Sequence, residues 1–119
     1  MNQQLSEWVE EVKNSGKLII VEGLKDKKAL NSLGIGNVVT LKKPLFQVIE
    51  EIAAKHKEVI ILTDIDKKGK LLYGKLRSGL QRLGVKIDTK FREFLIKNTK
   101  LSHIEGMPKY LNNNSAVKH

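Results

Sequence analysis

Three short apolar runs set the narrowest limit on what this chain can fold into: Leu18-Ile19-Ile20-Val21, Val38-Val39-Thr40-Leu41 and Val59-Ile60-Ile61-Leu62. Each is rich in β-branched residues and too short for a stable helix. A strand that is apolar at consecutive positions has both of its faces covered, which is the condition of a parallel sheet between two layers of helices. The segments between the runs change period. Leu5, Trp8, Val9 and Val12 recur at helical spacing before Gly16. Ala29, Leu30 and Leu33 form a second helical face, with Asp26 as its expected cap and Gly34 as its stop. Leu45, Val48, Ile49 and Ile52 follow Pro44, a residue suited to a helix start. Leu72, Leu76, Leu80 and Leu83 predict a longer helix from about Gly69. Val85–Ile87 predicts a brief strand, and Phe91, Phe94 and Leu95 another helix. Leu101–Glu105 is expected as a last strand. Strands alternating with helices in this order predict an α/β fold, with a mainly parallel four- to five-stranded sheet and helices on both faces.

The length of 119 residues fits one core. We divide it into an N-terminal helix (1–16), a central α/β domain (17–106) and a polar tail (107–119) expected to be flexible, since Asn112-Asn113-Asn114 lies in it. The apolar runs are too short to span a bilayer. The N-terminus carries acids and lacks the apolar stretch of a signal peptide. There are no cysteines, which excludes a disulfide scaffold, a thiolate zinc site and a cysteine nucleophile, and is consistent with the cytoplasm. Lys+Arg is 22 against 13 Asp+Glu, a net charge of +9. So basic a domain invites a polyanion, most simply nucleic acid, although lysine enrichment alone also raises the charge of thermophile proteins.

Against this background two acidic groups stand out. Glu22-Gly23 directly follows the first apolar run, and Asp64-Ile65-Asp66 directly follows the third. In an open parallel sheet, ligands sit outside the carboxyl ends of the strands, and both groups fall there. Asp64 and Asp66, two residues apart in extended backbone, share a side. If the two strands are neighbours, three carboxylates converge. Like charges so placed call for a cation, and oxygen donors favour Mg²⁺ or Mn²⁺ over zinc. Lys25, Lys27 and Lys28 follow the first group and Lys67, Lys68 and Lys70 the second. Acids for a metal beside cations for phosphate suit phosphodiester chemistry. Taken singly, each signal is weak: a Glu-Gly is commonly a turn, an Asp-x-Asp commonly a helix cap, and Asp26 more often a cap than a ligand. His56, His103 and His119 show no ligand spacing and are expected at the surface.

Together, in order, the residues resemble a family. Val21-Glu22-Gly23-Leu24-Lys25-Asp26-Lys27-Lys28-Ala29-Leu30 is similar to the first motif of the Toprim domain, and Leu62-Thr63-Asp64-Ile65-Asp66-Lys67-Lys68-Gly69 to the second. This domain is shared by topoisomerases, bacterial-type primases, overcoming-lysogenization-defect nucleases, recombination mediators and the ribonuclease that matures 5S ribosomal RNA. The resemblance implies a compact Rossmann-like fold. It also implies Glu22 as general acid/base, Asp64 and Asp66 as holders of the divalent metal with Glu22 close by, and Asp26 as an auxiliary catalytic acid. A helix beginning near Gly69 would offer free backbone N–H groups to a phosphate. Glu105 is a candidate for the same edge.

Several members of that superfamily do not fit. Tyr73 and Tyr110 are not in a separate nucleophile-bearing domain, no cysteine zinc module is present, and no G-x-x-x-x-G-K-[ST] loop occurs. The small Toprim proteins and the Toprim half of the 5S ribosomal RNA maturation ribonuclease are the nearest resemblances. The expected function is metal-dependent phosphodiester chemistry on RNA or DNA, as in a small Toprim nuclease. The alternative is a nucleic-acid-binding or partner-docking module without turnover. A protein partner or a homodimer is left open, since the Trp8 helix could cover a dimer surface. A phosphoacceptor receiver domain fits less well, because its paired acids would follow the first strand.

Overall fold

The computed structural model describes residues 3–117. Its sheet contains β1 (Leu18–Val21), β2 (Val38–Thr40), β3 (Glu58–Ile61) and β4 (Lys86–Ile87), in the spatial order β2-β1-β3-β4. All neighbouring pairs are parallel: Ile19 pairs with Val38 on one side and Ile60 on the other, and Val59 pairs with Ile87. The chain leaves β1 for β2, then returns across β1 to β3. The strand order therefore reverses between β1 and β3, and their carboxyl ends flank the crevice where such sheets bind ligands.

The unbroken apolar runs are explained by the two layers of helices. Ile19, Val21, Ile60 and Leu62 face one core, with Leu5, Trp8, Leu30, Phe91 and Leu95. Leu18, Ile20, Val59 and Ile61 face the other, with Val48, Ile52, Leu76 and Leu80. The first layer comprises α1 (Gln3–Ser15), α2 (Leu24–Ser32), α5 (Lys90–Asn98) and α6 (Met107–Val117); the second comprises α3 (Leu45–Lys55) and α4 (Lys67–Arg82). Trp8 anchors α1 to this core: its indole N–H donates to the Phe91 carbonyl at 2.9 Å and its ring meets the Phe91 ring edge-on. The Trp8 face of α1 is thus spent within the chain. No helix among the described residues is long and apolar enough to cross a membrane.

Three local expectations are corrected. Leu101–Glu105 is not a strand. The segment ends in a single 3-10 turn, Ile104–Gly106, because its buried residues Leu101, Ile104 and Met107 recur every third position, which a strand cannot place on one face. Residues Met107–Val117 form helix α6 where a loose tail is expected, with Met107 fully buried and Tyr110 and Leu111 packed on the same core. His119 lies outside the described residues. Finally, α4 begins at Lys67, two residues before the expected Gly69, because Asp66 caps it.

Candidate metal centre at the sheet edge

Glu22 leaves the end of β1 and Gly23 turns the chain into α2. Glu22 Oε2 accepts the backbone N–H of Asp64 at 2.9 Å, a bond that ties the end of β1 to the loop after β3. Burial pushes the Glu22 carboxyl up from its ordinary pKa. The charges of Asp64 and Asp66 push the same way, while the Asp64 N–H and the Lys68 charge oppose them. Asp26 sits at the third position of α2, with Gly23 as the N-cap. It is therefore not the cap itself. Its Oδ2 instead accepts the Gly23 N–H at 3.1 Å, the reciprocal half of a capping box. Asp26 is only 7% exposed. Burial raises its pKa, the Gly23 N–H opposes this, and the charges of Asp64 and Glu105 add to it.

Across the crevice, Asp66 Oδ1 accepts the Gly69 N–H at 2.7 Å and caps α4. That N–H is thus engaged and is not open to a phosphate as the sequence suggests. A side chain at Gly69 is impossible in this geometry, since its Cβ would lie 1.9 Å from the Asp64 carbonyl oxygen. Glycine lets the start of α4 close against the Asp-x-Asp loop. The segment after α5 completes the edge. The Ile104 N–H donates to Asp64 Oδ1 at 2.8 Å, the Ile65 N–H donates to the Ser102 carbonyl at 2.8 Å, and His103 Nε2 lies 3.2 Å from Asp66 Oδ2. One oxygen of each acid is thereby held by a backbone N–H before any cation arrives.

Arg92 supplies the positive charge beneath these acids. It is 3% exposed. Its Nη1 donates to the carbonyl of Thr63 and to Thr63 Oγ1, the latter at 3.0 Å, and its Nη2 donates to the Asp64 carbonyl at 3.0 Å. The guanidinium rests on the Tyr73 ring, 4.5 Å from its centroid. Thr63 Oγ1 in turn donates to the Gly69 carbonyl at 2.7 Å. Burial lowers the Arg92 pKa, and Tyr73, Glu22 and Asp64 counter that effect electrostatically.

Of the residues singled out in the sequence, Glu22, Asp64 and Asp66 meet across the β1/β3 crevice, Asp26 is bonded to Gly23 and feels the charges of Asp64 and Glu105, and Lys68 is near enough to act on Glu22. Lys25 and Lys28 are exposed in the first two turns of α2, and Lys67 and Lys70 in the first turn of α4. Lys27 points elsewhere. It lines a cavity of about 400 Å³ along the edge strand β2, with Thr40, Lys42, Lys43, Lys55 and His56. Arg92 and His103 are the site residues that sequence reasoning missed. His103 stands one residue from Ile104, whose spacing to Leu101 and Met107 is the available signal for a turn packed on the core.

The donor set fits a divalent cation. Ligand atoms of Asp64, Asp66 and His103 lie within 4.8 Å of one another. Glu22 stands beside this group, joined to it through the Asp64 N–H. The two carboxylates suit Mg²⁺ or Mn²⁺, whereas an imidazole donor matches Mg²⁺ poorly and widens the choice toward transition metals.

Comparison with known proteins agrees with this geometry. Residues 17–94 match the Toprim domain. A UPF0292 protein of Methanocaldococcus jannaschii is 34% identical over 117 residues, covering 92% of this chain and 91% of that one. A UPF0292 protein of Methanosarcina barkeri is 34% identical over 113 residues, covering 92% of this chain and 79% of that one. A solved protein from Aquifex aeolicus superposes with a TM-score of 0.79 at 38% identity, over 85% of this chain and 95% of its own. The Aquifex aeolicus primase, solved as its zinc-binding and RNA polymerase domains, superposes with a TM-score of 0.56 at 25% identity, over 88% of this chain and 27% of its own. With both acidic motifs at the β1/β3 crevice and these likenesses along most of its length, the chain belongs to the Toprim domain family and groups within it with the UPF0292 proteins.

Proposed function

We propose that this protein catalyses metal-dependent phosphodiester cleavage in nucleic acid, RNA or DNA, in the manner of a small Toprim nuclease. The observation that carries this reading is the placement of Glu22. Its carboxylate is fixed by the Asp64 N–H at 2.9 Å and lies beside the Asp64–Asp66–His103 group. The bond that ties β1 to the loop after β3 also fixes the orientation of the carboxylate at the edge where the candidate metal group lies, as a general acid/base requires.

In this reading Asp64 and Asp66 hold Mg²⁺ or Mn²⁺, with His103 and Glu22 flanking them. A bound divalent cation supplies charge neutralisation for the phosphodiester. Glu22 takes the proton of the attacking water on its carboxylate and returns it to the departing sugar oxygen. Asp26 works through Gly23, keeping the turn after Glu22 in place. Lys25, Lys28, Lys67, Lys68 and Lys70 draw the phosphate backbone to the edge, and Lys27 acts along the β2 cavity. Likeness to a primase domain agrees with a nucleic-acid partner. We place the reaction in the cytoplasm, whose reducing conditions a cysteine-free sequence permits.

Cleavage of structured RNA, single-stranded DNA and supercoiled DNA with Mg²⁺ or Mn²⁺ tests the proposal. Glu22→Gln should retain nucleic-acid binding and lose about 10²- to 10⁴-fold in rate. Asp64→Asn should abolish the rise in thermal stability that millimolar Mn²⁺ gives the wild type by mass action. Equal trace activity in wild type and Glu22→Gln on every substrate would overturn the catalytic reading and favour a binding module without turnover.

A further inference from the structure

Five large apolar side chains are exposed: Leu24, Phe46, Leu71, Leu83 and Ile96. Three of them share a place in the fold. Leu24 is the first residue of α2, Phe46 the second of α3 and Leu71 the fifth of α4. Each of these helices follows a strand of the parallel sheet and so begins at the edge that carries the acids. The three residues are 49%, 69% and 61% exposed. Packing does not explain them, because the buried faces of the same helices are filled by Leu30, Val48 and Leu76.

Their neighbours are cationic. Lys25 and Lys28 follow Leu24, Lys42 and Lys43 precede Phe46, and Lys67, Lys68 and Lys70 precede Leu71. Of these seven lysines only Lys43 forms an ion pair among the described residues, with Glu51.

The loop that bears Lys42 and Lys43 and leads into Phe46 of α3 is joined to the acidic site, since the Leu41 N–H donates to the Glu22 carbonyl at 3.3 Å. From that loop the β2 cavity leads away along the sheet edge. Its floor is apolar, formed by Val39, Val48 and Ile52, and its rim carries Lys27, Lys42, Lys43 and Lys55 against Glu51.

A paired duplex offers a protein phosphates and groove edges, and its base faces are stacked away. Exposed apolar and aromatic side chains between lysines match a strand whose bases are free. We infer that the surface around the acidic site binds unpaired, single-stranded nucleic acid, with a base stacked on Phe46 and the backbone phosphates on the surrounding lysines. This rests on the proposed function and names its substrate class: the strand at Glu22 is single, whether a free strand or an unpaired segment of a folded RNA.

The test is a binding measurement with EDTA present, which separates it from cleavage. The probes are labelled oligothymidylate, an abasic strand with the same number of phosphates, and a duplex of the same length. Wild type should bind oligothymidylate more tightly than either of the others. Phe46→Ala should weaken oligothymidylate binding about 5- to 150-fold, the range found for a base stacked on an aromatic ring, and leave the abasic and duplex affinities in place. Phe46→Trp should restore it. Phe46 is the most exposed of the five, so neither substitution threatens the fold. Equal loss on all three probes, no loss on any, or duplex preference in the wild type would overturn the inference. Failure of wild type to bind any of the probes at low salt would also overturn it and point to a protein partner. Phe46-dependent binding without cleavage would leave this inference standing while the catalytic reading falls. Cleavage of duplex and single strand alike, insensitive to Phe46, would do the reverse.

Discussion

Arg92 carries the most demanding prediction, because its side chain holds the loop that displays Asp64. Replacement by alanine removes donors to the Thr63 carbonyl, Thr63 Oγ1 and the Asp64 carbonyl, in a place where the guanidinium is 3% exposed. Hydrogen bonds to a charged group contribute about 1.5–3 kcal/mol each. Part of that sum is offset, since the variant no longer strips water from a buried cation. Leaving these buried acceptors without their donor costs about 1–3 kcal/mol each, so the net loss should be about 3–5 kcal/mol, a large share of the roughly 5–15 kcal/mol that holds a domain of this size together. At about 3–6 °C per kcal/mol for this length, the thermal midpoint should fall by on the order of 10–25 °C. Arg92→Lys keeps the charge but not the planar fork, so it should lose roughly half as much. Urea unfolding in EDTA, followed by circular dichroism, gives the free energies. A double-mutant cycle with Thr63→Val should show a coupling of about 0.5–3 kcal/mol. A cost below about 1 kcal/mol for Arg92→Ala would show that the loop is held by its other contacts and that Arg92 is incidental to it.

Other substitutions probe the same edge. Gly69→Ala, whose Cβ would meet the Asp64 carbonyl oxygen at 1.9 Å, should displace the Asp-x-Asp loop and abolish Mn²⁺-dependent thermal stabilisation; a crystal structure of the variant with the loop unmoved would refute this. Asp26 and Glu22 have raised pKa values, so the folded state holds protons that the unfolded chain has released, and wild-type stability should fall as pH rises through the range just above the ordinary 3.8 of Asp26 and 4.5 of Glu22. Asp26→Asn should flatten part of that decline in urea titrations run from acid to neutral pH. Replacing Lys67, Lys68 and Lys70 together by glutamine should reduce the slope of log affinity against log salt for oligothymidylate, by up to about 0.7 for each phosphate no longer neutralised; an unchanged slope would remove these lysines from the interface.

The sheet was legible because its signal is local. Strands buried on both faces show as unbroken apolar runs, and Glu22, Asp64 and Asp66 follow those runs directly, so a βα reading already carries them to one edge. Residues whose roles depend on distant partners were not legible. Arg92 reads as one more basic residue in a helix until the fold brings it against Thr63, 29 positions earlier. His103 acquires Asp66 as a neighbour only through the loop after α5. The segment from Leu101 to Glu105 is misread because it is short enough for a strand, while the spacing of three from Leu101 through Ile104 to Met107 belongs to a turn. Lys27 follows the Glu22 motif in sequence, but its position on α2 directs it to the β2 cavity.

The bonds that hold the acids also set when the site comes into being. The Asp64 N–H reaches Glu22 across 42 positions, and the Ile104 N–H reaches Asp64 across 40. Arg92 reaches the Asp64 carbonyl across 28. Each closure has an entropic cost that grows with the logarithm of the intervening length, and no helix or turn formed early contains both ends of any of them. The carboxylate constellation is therefore complete only when the segment through Ile104 has docked on the sheet edge. Until then the basic residues of α2 and α4 are present while the three acids are still apart.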